Sequence, residues 1–120
     1  MFLQQRSELN WSIITLLMDN LAGQIKKNTA LIVYFFSPGC VACNSLHPKI
    51  EDMTNIHFPK MKLVSIDASI NPALTSEAGV YSAPTILVFF EGKEYIRESK
   101  YISVKQLEEK IGRYYDMIFS

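Results

Sequence analysis

Phe35-Phe36-Ser37-Pro38-Gly39-Cys40-Val41-Ala42-Cys43 is the stretch that decides how this chain reads. An apolar run stops at a Pro-Gly break, and the only two cysteines follow at C-x-x-C spacing. Proline and glycine interrupt a strand, and a helix can begin directly after them. The dithiol therefore falls where a buried strand gives way to a helix. A sulfur at a helix N-terminus faces unpaired backbone N–H groups and the positive end of the peptide dipoles, and both favour its thiolate. That placement points to thiol–disulfide exchange.

Around this stretch the apolar pattern predicts the remaining elements. The residues from Ala30 to Phe36 are apolar on both faces, as expected of a central strand covered on both sides. Upstream, Trp11, Ile14, Met18, Leu21 and Ile25 recur at helical spacing. Ser7 or Asn10 can start that helix, and Lys26-Lys27-Asn28 suits its end. After Gly39, Leu46, Ile50 and Met53 share one helical stripe, interrupted by Pro48, which should bend the helix. Met61 to Ile66 predicts a second strand. Asn71-Pro72 predicts a short helix, with Asn71 as its cap and Gly79 as its stop.

Thr85 to Phe90 predicts a third strand, and Glu91-Gly92 turns the chain into a fourth, Glu94 to Tyr101. Ser103 to Gln106 reads as a capping box, with Ile102 and Leu107 as its staple. Leu107, Ile111, Tyr114 or Tyr115, and Ile118 give that last helix its buried face. This order predicts an α/β fold, a three-layer sandwich with a mixed sheet of about four strands and helices on both faces. Strands separated by helices are expected to run parallel, and the hairpin to add an antiparallel edge.

At 120 residues the chain is expected to be one domain, 1–120, long enough to bury a core without staples. Twelve basic residues balance twelve acidic ones, so nothing favours nucleic acid or anionic lipid. The longest clean apolar run, Leu31 to Phe36, is far short of the roughly 20 residues of a membrane span. Ile13 to Met18 imitates a signal core, but only Arg6 precedes it, Glu8 offsets that charge, and no small-x-small cleavage site follows. A cytoplasmic monomer is expected. Two cysteines this close cannot form a disulfide scaffold, so they imply a redox or metal role.

On a helical wheel at 100° per residue, Cys43 falls near Ile50 and faces inward, while Cys40 falls at the exposed first turn. Cys40 is then the attacking thiol and Cys43 the resolving one. Against this stands a metal reading, with His47 and His57 completing a Cys₂His₂ set. The C-x₂-C-x₃-H-x₉-H spacing is not that of a zinc finger, and a core of this size has little need of a structural metal. His47 lies one turn below the pair, where it can tune Cys43, and His57 is expected in a solvated loop.

In these motifs the chain resembles the thioredoxin family, over about Trp11 to Ile111, a core of about 11–111. Cys40 and Cys43 match the family's redox pair and Pro48 its helix-kinking proline. Asn71-Pro72 matches the start of its third helix, and Ala83-Pro84-Thr85 its cis-proline tripeptide. Phe89 to Lys93 resembles its hairpin and Ser103 to Leu107 the start of its last helix. The resemblance implies a protein-disulfide oxidoreductase without a bound cofactor other than its own dithiol. It implies disulfide-containing protein substrates, an external reductant or reductase, and a cis bond before Pro84 that lets Ala83 pair with a substrate strand. Gly39, Val41, Ala42, Ala83, Pro84 and Lys100 would form the substrate surface.

Departures from the family pattern are equally informative. Gly39 replaces the usual tryptophan, Val41-Ala42 the usual Gly-Pro, and Lys100 a frequent glycine beside the groove. Tyr34 replaces the buried aspartate that assists the second cysteine, and Ser65 its lysine companion. A tyrosine is a poor base at neutral pH. These departures leave open a second reading, a thioredoxin-fold binding module that holds a partner beside Pro84 with little turnover.

Overall fold

Alternation along one strand organises the molecule. In a computed structural model, whose described residues are 21–120, β1 (Ala30–Phe36) is buried almost throughout. Its side chains point alternately to opposite faces, as strand geometry requires. Ala30, Ile32 and Tyr34 enter one core with Leu46, Ile50 and Met53 of α2 (Val41–His57) and Leu107 and Ile111 of α4 (Val104–Phe119). Leu31, Val33 and Phe35 enter a second core with Leu21 and Ile25 of α1 (helical over residues 21–27) and Leu74 of α3 (Pro72–Glu77). The sheet is thus covered on both sides, and the three-layer α/β architecture is as expected.

The sheet order is β2-β1-β3-β4, with β2 spanning Lys62–Asp67, β3 Thr85–Phe90 and β4 Lys93–Ser99. β2 pairs parallel to β1, whereas β3 pairs antiparallel to β1 and β4 antiparallel to β3. The expectation that every helix-separated strand runs parallel fails at β3. Helix length explains the difference. α2, with 17 residues, rises about 25 Å and carries the chain back along β1. α3, with six, rises only about 9 Å, less than half the length of a strand of that many residues. The next strand therefore starts from the sheet end that the chain has already reached.

Local signals end the elements. Glu91 (φ 52°) and Gly92 (φ 83°) both lie in the left-handed region, and Phe90 pairs with Lys93, which makes a two-residue primed hairpin turn. Gly79 (φ 70°) follows α3, where a Cβ would be strained. Ser103 Oγ accepts a hydrogen bond from the Gln106 N–H at 3.3 Å and caps α4. Asn71 does not cap α3. Its amide instead donates to the Asp67 carbonyl at 2.9 Å, and Pro72 supplies the fixed first turn. His57 is not in a loop: it closes α2, 2.9 Å from the Glu108 carboxylate on α4. The expectations on Ser7, Asn10, Trp11, Ile14 and Met18, and on the stretch 13–18, lie outside the described residues.

The far end of α3 is tied to β4. The Arg97 guanidinium donates to the Ala78 and Gly79 carbonyls at 2.9 and 3.0 Å, and both Glu94 carboxylate oxygens hold it in turn at 2.8 and 2.9 Å. This carboxylate holds the guanidinium pKa above its ordinary value. The Ala78 carbonyl, at the C-cap, is an acceptor that the helix end leaves unpaired, and the Gly79 carbonyl lies just beyond it. A side chain from the sheet thus completes what the short helix leaves open.

Candidate active site

β1 ends at Phe36, and the chain turns through Ser37-Pro38-Gly39, closed by the Cys40 N–H donating to the Ser37 carbonyl at 3.1 Å. Cys40 is the N-cap of α2, in extended conformation (φ −90°, ψ 104°). Its sulfur accepts the Cys43 backbone N–H at 3.1 Å, the role a serine or aspartate side chain takes at other helix starts. Cys40 is therefore half-buried at the cap and not exposed in the first turn, because its side chain is drawn back over the helix end. Cys43 is buried, as the helical wheel requires. The two are joined as a disulfide, with Cα atoms 5.2 Å apart.

Around the pair, Gly39, Val41 and Ala42 are exposed, and a Cβ added at Gly39 would meet no atom within 4 Å. The surface beside Cys40 is open. Pro84 is buried at the start of β3, its preceding peptide bond is cis, and Ala83 is half-buried. The Phe35–Thr85 pairing of β1 and β3 puts Pro84 at the sheet end from which the Cys40 turn leaves. Lys100 follows β4 with φ 66°, and its N–H donates to the Pro84 carbonyl at 2.9 Å. The position that favours glycine in conformation thus carries an exposed cation directly beside the proline.

Beneath the dithiol, Tyr34 does more than fill space. Its hydroxyl donates to the Cys43 carbonyl at 2.8 Å. Burial raises its pKa, so the phenol stays protonated and is a donor, not a base. Tyr34 and Ser65 are direct partners in the β1–β2 register, and His47 spans them. The imidazole stacks on the Tyr34 ring at 5.1 Å, with Nε2 3.0 Å from Ser65 Oγ and Nδ1 3.1 Å from Glu51. The two positions that depart from the family's charged pair are therefore linked through a histidine. Glu51 was missed in the sequence, although its spacing of four from His47 was a usable signal. His57 lies apart from this group, near the far end of α2, so the two histidines do not join the cysteines. Among the described residues no group of three or more metal-ligating side chains gathers.

A family model described as thioredoxin matches residues 12–113. The chain belongs to the thioredoxin family. It is 31% identical over 91 residues to a thioredoxin-like protein, YdfQ, of Bacillus subtilis, covering 76% of this chain and 80% of that one. It is 35% identical over 85 residues to protein disulfide-isomerase 1 of Caenorhabditis elegans, covering 68% of this chain but only 18% of that longer protein. Thioredoxin from Fasciola hepatica superposes with a TM-score of 0.68 at 26% identity, over 79% of this chain and 88% of that one. The thioredoxin family is one of thiol–disulfide oxidoreductases that act on disulfide-containing proteins, and the Cys40–Cys43 disulfide fits that chemistry.

Proposed function

We propose that the protein reduces disulfides in protein substrates through Cys40 and Cys43. The observation that carries this reading is the Cys40 sulfur at the N-cap of α2, 3.1 Å from the Cys43 N–H. Once the pair is reduced, that N–H and the helix dipole stabilise a thiolate at Cys40. The thiolate attacks one sulfur of the substrate disulfide, and the second substrate sulfur leaves as a thiolate and takes up a proton. A mixed disulfide between Cys40 and substrate results. Cys43 then loses its proton and attacks Cys40 Sγ, the mixed disulfide breaks, and the first substrate sulfur leaves reduced. Two electrons have passed to the substrate, and the pair is left as the disulfide present in the structure.

An external reductant or reductase restores the dithiol, and no cofactor beyond the pair is required. Gly39, Val41, Ala42, Ala83, Pro84 and Lys100 form the surface that receives the substrate, with the Ala83 backbone offering strand-like pairing. The protein works as a monomer in the cytoplasm, where thiols are kept reduced. A second reading, a binding module with little turnover, is favoured by one observation: Tyr34 is a protonated donor, so no buried carboxylate draws the proton from Cys43.

Insulin reduction driven by a chemical reductant separates the two. The enzyme predicts turnover that Cys40→Ser abolishes and a covalent substrate adduct that accumulates in Cys43→Ser. Turnover equal to that of Cys40→Ser overturns the reductase and leaves the binding module.

A further inference from the structure

The end of the sheet that carries the dithiol has an uneven surface. β1 and β2 run parallel and finish there, β3 begins there, and β4 finishes there. Residues 37–40, 68–71, 78–84 and 100–103 are therefore gathered at one end. Among the described residues, the four most exposed large apolar side chains are Tyr101 (97%), Tyr81 (87%), Val41 (79%) and Ile70 (74%). All four lie in these segments or, for Val41, immediately after one. Soluble proteins scatter single apolar side chains over their surface, but the grouping of the most exposed ones at one end marks a contact surface.

Charge at this end is equally uneven. Lys100 is the only charged residue in the four segments. Among the described residues it makes no ion pair, since the four ion pairs involve His47, His57, Arg97 and Lys110. Two acidic residues, Asp67 and Glu77, directly precede these segments, and Glu98 stands two residues before Lys100. Asp67 is held by the Ser69 N–H at 2.9 Å and by the Ser69 hydroxyl, and Glu98 is paired with Lys110. Lys100 also occupies the left-handed region (φ 66°), a conformation costly for a side-chain-bearing residue. A cation is thus kept beside Pro84 against its conformational preference, among segments that carry no other charge; the Arg97 guanidinium near Tyr81 is already held by Glu94.

We propose that this end of the sheet recognises an extended, disulfide-bearing protein segment in which a carboxylate and an aromatic or apolar side chain flank the cysteine. Lys100 receives the carboxylate, and Tyr81 and Tyr101 receive the apolar groups. The proposal rests on the exchange reading above and names the substrate class that it serves. Tyrosine suits this role because a large, stiff ring gives contact area at small entropic cost. A single cation among apolar groups adds charge selectivity to the encounter.

Two synthetic peptides of equal length test it, each carrying one cysteine as a mixed disulfide with thionitrobenzoate. One has Asp and Phe beside the cysteine, the other Lys and Ser. The rate of thionitrobenzoate release by the reduced full-length chain is divided by the rate with dithiothreitol, which removes differences intrinsic to the peptides. The Asp-Phe peptide is expected to react about tenfold faster at low ionic strength, with the charge-dependent part shrinking as salt rises. Lys100→Glu should shift the ratio toward the Lys-Ser peptide about fivefold, and Tyr81→Ser with Tyr101→Ser should remove the aromatic preference. Equal rates on the two peptides, or a ratio that these substitutions do not move, overturns the proposal. Hydroxyethyl disulfide reports the exchange chemistry by itself. No reaction with it overturns the exchange reading, whereas reaction with it and equal peptide rates overturns the recognition surface alone.

Discussion

At the scale of single residues, the chemistry depends on one sulfur and one phenol. Cys40 caps its helix, so its thiol is expected to ionise below the ordinary cysteine value of about 8.5. The ultraviolet absorbance of the thiolate, followed against pH in Cys43→Ser, measures this, and an ordinary or raised value removes the basis for attack by Cys40. Tyr34 is a buried donor to the Cys43 carbonyl, so Tyr34→Phe should cost about 1 kcal/mol by removing that buried hydrogen bond. The same substitution has a pH signature. In the unfolded chain the phenol ionises near 10.0, whereas the buried phenol keeps its proton to higher pH. Above about pH 10 the folded state therefore binds more protons than the unfolded one, and stability falls as pH rises. Denaturation midpoints followed through that range should fall more steeply for the native sequence than for Tyr34→Phe. Parallel slopes would exclude this coupling. The resemblance to the family put Tyr34 at the place of the assisting aspartate, and its phenol marked it as a poor base, but its carbonyl partner depends on how the sheet and α2 pack, which no local pattern encodes.

Among elements, caps and turns were legible because each is written within a few adjacent residues. β1 and β3 have the bounds that their apolar runs predicted, and the Ser103 cap and the Glu91-Gly92 turn lie where their residue types placed them. Asn71 was misread because its amide found the Asp67 carbonyl, a partner four residues upstream. The direction of β3 was also misread, since it follows from the length of α3 and not from any property of β3. Two substitutions test the elements. Ser103→Ala should lower stability by about 1 kcal/mol, read as a lower denaturant midpoint at unchanged slope. Lys100→Gly should raise stability by about 1 kcal/mol, since glycine adopts the left-handed region without strain. A Lys100→Gly chain no more stable than the original shows that the lysine is not strained there.

Across the whole molecule, adjacent residues of β1 serve different layers. Ile32 packs toward α2 and α4, and Val33 toward α1 and α3. Ile32→Ala should cost about 2–5 kcal/mol and Val33→Ala somewhat less. Amide hydrogen exchange should loosen α2 and α4 in the first and α3 in the second. The same set of amides loosening in both would show that the layers are not independent. The layering was readable from the doubly apolar run of β1, whereas the grouping of Tyr81, Ile70 and Tyr101 at one end was not. Those residues are far apart in sequence and meet only through the sheet order. Arg97 has a consequence at this scale too. Its fork fastens the start of the segment that leads to Pro84 onto the strand that leads to Lys100. The shape of that segment is thus borrowed from a guanidinium and a carboxylate outside it, and a transplant of residues 80–84 into another scaffold should keep its form only when Glu94 and Arg97 travel with it.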